Sequence, residues 1–157
     1  MRILFLGDIV GKRGREVIRD FLPSLKDKYQ PDFIIVNGEN AAHGKGLTIK
    51  IYNEFMSYGI DCITMGNHTF SKKEIIDHLD EMNKLVCPYN HISNLGKGYV
   101  SCIVVSSLGN ASSVGGQNVY AQAVFLSGGL TVDAGLTGSN QNAFGLGQTH
   151  VLLANGL

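Results

Sequence analysis

Apolar residues in the first hundred positions fall into two alternating patterns. Residues 3–6 and 33–36 are unbroken apolar runs; residues 60–65 form a third, less uniform because of Asp61 and Cys62. Such runs predict strands covered on both faces, as in a parallel sheet. Between them the spacing changes to three and four residues: Val17, Ile18, Phe21, Leu22, Leu25 and Tyr29, then Ile51, Tyr52, Phe55 and Met56, then Ile75, Ile76 and Leu79. These are helix stripes. Pro23 removes a hydrogen bond from the first stripe and clashes with the preceding turn, which predicts a kink or break near Leu22. A loop over residues 8–14 precedes that helix. Thr48 is the expected N-cap of the second helix and Gly59 its closing glycine, while Ser71 and Glu74 have the spacing of a capping box for the third.

Strand alternating with helix predicts a parallel βαβαβα arrangement with right-handed crossovers. Ligands of such sheets bind beyond the carboxyl ends of the strands. Each run here ends there in a glycine beside polar residues: Gly7-Asp8, Asn37-Gly38-Glu39-Asn40 and Gly66-Asn67-His68. The pattern therefore puts Asp8, Glu39, Asn40, Asn67 and His68 on one rim.

Beyond residue 98 the patterning changes. Of the 26 Lys, Arg, Asp and Glu residues only Asp133 falls in the last part of the chain, where Gly, Ser, Asn and Gln separate short apolar runs at 102–105 and 119–126. One or two strands are expected there, with Asp133 as a buried turn cap, and no helix stripe is present. The fold class expected is α/β, a parallel N-terminal part followed by a β-rich or irregular C-terminal part within one domain. A low-charge, β-prone segment also suits self-association, so a homo-oligomer is a reading of residues 99–157.

Composition narrows the function classes. Zero formal net charge over 157 residues argues against an extended nucleic-acid surface and favours small substrates. Cys62, Cys87 and Cys102 lack CxxC spacing and disulfide density and are expected as buried, reduced thiols. No apolar run approaches the roughly 20 residues of a membrane span; a cytoplasmic protein is expected.

Carboxylates and Asn carbonyls are hard oxygen donors suited to Mg, Ca or Mn, and imidazoles extend the range to Fe and Zn. Two ions ~4 Å apart can hold a phosphate and generate hydroxide at neutral pH, with His68 giving a proton to the leaving oxygen. Structural alternatives stand beside each residue: Asp8 as a helix cap, Asn40 and Asn67 as turn formers, His68 as a backbone partner. The segment 7–15 contains Lys12, Arg13 and Arg15 but has neither the Walker nor the G-x-G-x-x-G register; solvated surface charge is the expectation for these three. His43, His78 and His91 have no partner at ligand spacing and are expected as structural or surface positions.

The segments MRILFLGDIVG (1–11), NGENAA (37–42) and GNHTF (66–70), with the spacing among them, resemble the YmdB-like branch of the calcineurin-like metallophosphoesterases. The resemblance covers about the first hundred residues and implies a four-layer α/β sandwich with a centre of two divalent ions (Fe, Mn or Mg) that hydrolyses 2',3'-cyclic nucleotides. It implies Asp8, Glu39, Asn40 and Asn67 as metal ligands, Glu39 bridging, and His68 as the catalytic proton donor. The family draws three further ligands from an F-H-A-E-like and a T-H-T-H-like segment, neither of which occurs here; Thr149-His150-Val151 is similar to half of the latter. Two readings follow: a metal-dependent phosphodiesterase acting on a small phosphodiester or nucleotide, or a truncated, catalytically impaired relative that binds an ion or nucleotide without turnover.

Overall fold

The computed structural model describes residues 2–104, 117–126, 129–137 and 151–154, with side chains described through Val100. Strands β1 (Ile3–Leu6), β2 (Phe33–Asn37), β3 (Cys62–Thr64) and β4 (Leu85–Val86) alternate with helices α1 (Gly11–Tyr29), α2 (Ile49–Ser57) and the short α3 (Glu74–Asp77). They are followed by β5 (Tyr99–Val104), β6 (Gln117–Leu126), β7 (Gly129–Thr137) and β8 (Val151–Ala154). A five-stranded sheet has the order β4-β3-β2-β1-β8 and every pairing in it is parallel. Strands β5, β6 and β7 make a separate antiparallel sheet.

The period-2 alternation of strands divides the core into two layers. Leu4, Leu6, Ile34, Val36, Ile63 and Leu85 lie on the helix side, in one cluster with Ile18 and Leu22 of α1, Ile51, Tyr52 and Phe55 of α2, and Ile75 of α3. Their strand neighbours Ile3, Phe33, Ile35, Cys62 and Val86 form the second cluster with Val100 of β5. The helices thus cover one face of the parallel sheet and the second sheet approaches the other. Burying each of the fully enclosed Ile and Phe side chains stabilises the fold by about 1.5–3 kcal/mol.

Several local expectations are corrected. Helix α1 starts at Gly11, inside the expected loop, and of the kink or break expected near Leu22 the break does not occur, the helix continuing past Pro23 to Tyr29. Pro23 and Arg19 are both exposed, so water can satisfy the Arg19 carbonyl that proline leaves unpaired, while Ile18 and Leu22 stay buried on the opposite side. Val17 and Phe21 of the same stripe are exposed. The capping box does not form: the helix is only Glu74–Asp77, and Glu74 Oε1 instead accepts from Ile49 N–H (3.1 Å) at the start of α2. Asp133 lies within β7 opposite Gln122, in a strand and not in a turn.

Thr48 does cap α2, its hydroxyl accepting from Ile51 N–H at 3.2 Å, and Gly59 follows that helix with φ +74°. Cys62 and Cys87 are buried thiols. Among the described residues no helix is long and apolar enough to cross a membrane.

Candidate metal centre at the strand ends

Main-chain pairing continues past the strand ends and sets three loops side by side. Ile9 N–H donates to Asn37 O and Gly38 N–H to Thr64 O, both at 3.0 Å. The Asp8 segment is thereby joined to the Glu39-Asn40 segment. That segment in turn adjoins the one carrying Asn67 and His68. Buried Asn37 accepts from Glu39 N–H through Oδ1 (3.2 Å), an Asx turn that swings the chain out of β2. Gly46 N–H donates to Glu39 O at 2.5 Å and closes the loop. In the third segment both the N–H (3.2 Å) and the hydroxyl (2.5 Å) of buried Thr69 donate to Gly66 O, curling Asn67 and His68 into a tight turn.

The side chains follow this framework. Asn40 Nδ2 donates to Asp8 Oδ1 at 2.8 Å. The Glu39 carboxylate folds onto Gly66, where an added Cβ would come within 2.6 Å of Glu39 Cδ; only glycine permits this approach. His68 N–H faces Glu39 Oε2 at 3.5 Å, a long contact. Asp8 and Asn67 are exposed, and Glu39, Asn40 and His68 are half-buried. Asp8 with Asn40, and Glu39 with the main chain of His68, are therefore brought together, and exposed Asn67 belongs to the same turn as His68.

The donor set suits a hard divalent cation. Neither Asp8 nor Glu39 has a Lys or Arg partner among the described residues. With Asn40 Nδ2 turned to Asp8, the amide oxygen of Asn40 remains available. No three His, Cys, Asp or Glu side chains among the described residues are grouped to hold an ion. A cation would depend on Asp8 and Glu39, the amide oxygens of Asn40 and Asn67, and water, a set that favours Mg or Mn over softer metals.

The remaining candidates separate. His43 is an exposed loop residue at φ +56°, and His78 sits 3.2 Å from Glu81. His91 packs edge-on against Phe70, ring centroids 5.0 Å apart, and its Nδ1 accepts from Ser93 N–H at 3.1 Å. His150 lies outside the described residues. Lys12 and Arg13 are exposed and pair with Glu16, as expected.

Arg15 is a correction. It is half-buried, with Nη1 donating to Ala41 O at 2.6 Å and Nε 3.4 Å from Glu54 Oε2. The cause is the early start of α1, which puts Arg15 one turn into the helix. Asn37 and Thr69, given no role in the sequence analysis, shape the turns that carry Glu39-Asn40 and Asn67-His68; their signal was a short hydrogen-bonding side chain close to each glycine.

A family model described as YmdB-like protein matches residues 4–124. The chain belongs to this family. The YmdB-like chain is 59% identical over 90 residues to a 2',3'-cyclic-nucleotide 2'-phosphodiesterase of Bacillus subtilis (strain 168), a match covering 57% of this chain and 34% of that protein. A crystal structure of a hypothetical protein from Thermus thermophilus superposes with TM-score 0.62 at 35% identity, over 76% of this chain and 43% of that one. A crystal structure of a novel phosphatase from Mycoplasma pneumoniae gives TM-score 0.58 at 44% identity, over 62% and 37%. The matches thus span less than half of each relative's own length.

Proposed function

We propose that this YmdB-like chain is a divalent-metal-dependent phosphodiesterase for small phosphodiesters such as 2',3'-cyclic nucleotides. The observation that carries the reading is the convergence on one strand-end rim of Asp8, bonded to Asn40, and Glu39, which faces the His68 main-chain N–H and folds against Gly66, two residues before His68. The activity for which the Bacillus relative is named supports the substrate class.

A bound cation would neutralise phosphoryl oxygens and make its water a nucleophile at neutral pH. Asp8, Glu39, Asn40 and Asn67 would hold it. Asn40 keeps Asp8 in place through the 2.8 Å hydrogen bond. His68, half-buried on its Thr69-closed turn, would deliver a proton to the leaving oxygen, a role that suits an imidazole near pH 7.

A second reading, an ion-binding relative without turnover, is favoured by the lack of a third grouped His, Cys, Asp or Glu ligand among the described residues. Metal analysis and hydrolysis of 2',3'-cyclic AMP, with and without chelator, separate the two. Chelator-sensitive hydrolysis that Asp8→Asn abolishes supports the enzyme. Cation uptake without hydrolysis supports the second reading, and absence of both overturns each.

A further inference from the structure

The first turn of α1 matches no nucleotide-binding motif, yet it makes three separate contacts with the ligand-bearing loops. Gly11 N–H donates to Asn40 O at 2.9 Å. Gly14 lies so close to the segment after Asp8 that an added Cβ would meet Ile9 Cγ2 at 3.0 Å and the Ile9 carbonyl carbon at 3.4 Å. Arg15 Nη1 donates to Ala41 O at 2.6 Å, the carbonyl directly after that of Asn40.

We infer that Arg15 is a positioning residue that sets the register between Asp8 and Asn40, and through it the affinity of the rim for a divalent cation. This rests on the metal reading above and adds a residue that contacts neither cation nor substrate. Asp8 enters α1 from β1, whereas Asn40 arrives from β2. Their 2.8 Å hydrogen bond therefore requires that the β2 loop be seated on α1.

Gly11 through its main-chain N–H and Arg15, four positions on, through its guanidinium donate to two consecutive carbonyls of that loop. Arg15 is itself steadied by α2, with Nε 3.4 Å from Glu54 Oε2. The Arg15 side chain is only 17% exposed, and a charge-assisted hydrogen bond with little solvent competition is stronger than a surface one. A planar guanidinium can reach Ala41 O and Glu54 together, whereas the single ammonium of lysine can serve one of them well.

Mn2+ titration of the full chain, followed by the loss of the free-ion EPR signal, tests the inference. Arg15→Ala is expected to raise the Mn2+ Kd about tenfold, the scale of outer-shell substitutions at metal sites, and Arg15→Lys to recover part of that loss. A general loss of stability would lower the folded fraction without changing the Kd of what remains folded. An unchanged Kd in folded Arg15→Ala overturns the inference while leaving the metal reading intact. Should Arg15→Ala fail to fold, Glu54→Gln decides: a raised Kd supports the inference and an unchanged one overturns it. No Mn2+ uptake by the unsubstituted chain removes the metal reading and this inference with it.

Discussion

Asn40 donates its amide N–H to the Asp8 carboxylate across 2.8 Å, joining the ends of two adjacent parallel strands by a side-chain contact. Removing it in Asn40→Ala leaves a carboxylate on an exposed rim, where water replaces the lost partner. The expected cost is about 1 kcal/mol of stability, with a larger loss of cation affinity. Chemical denaturation and Mn2+ titration of the same variant would show the two effects apart.

Gly66 carries the opposite signature. Its φ is not positive, so alanine is tolerated by the backbone, but the added Cβ would overlap the Glu39 carboxylate. Gly66→Ala is expected to keep a folded chain, by circular dichroism, while losing cation uptake. A Gly66→Ala protein that binds Mn2+ like the unsubstituted one would show that Glu39 has no ligand role.

Pro23 sits inside α1 on the solvent side. Pro23→Ala restores a main-chain hydrogen bond, partly offset by the greater freedom alanine gives the unfolded chain. A net gain of about 1–2 kcal/mol is expected in urea unfolding, with no change at the rim.

Burial pushes the Cys87 thiol up to about 11, against a smaller opposing pull from the Lys97 main chain. In the unfolded chain a thiol ionises near about 8.5. Stability from this group is therefore complete below about pH 8.5 and falls as pH rises toward about 11, because only the unfolded state ionises in that window. Melting temperatures across the window should decline, and Cys87→Ala should flatten the decline; parallel curves for both proteins would contradict it. Tyr52, also raised by burial, adds to the slope only above about pH 10.

The strands that build the rim were legible because β1 and β2 are continuous apolar runs, buried on both faces and cut off by glycine-containing turns. The positions of Asp8, Glu39, Asn40, Asn67 and His68 followed from the rule for parallel sheets, without any distance in hand. What escaped were features decided by non-local partners. The two-residue β4 is too short for a pattern, and β8 owes its place to parallel pairing with β1 far away in sequence. Glu74 has capping-box spacing from Ser71 but bonds to Ile49 of another helix. Arg15 read as surface charge because its Ala41 and Glu54 partners come from other elements.

The most direct test of the phosphodiesterase reading is the initial rate of 2',3'-cyclic AMP hydrolysis in Mn2+ by the unsubstituted chain and by His68→Ala. A rate about 10²–10⁴-fold lower in His68→Ala, the range of general acid catalysis, with Mn2+ binding retained, is the expected result. Equal rates for the two proteins would contradict it.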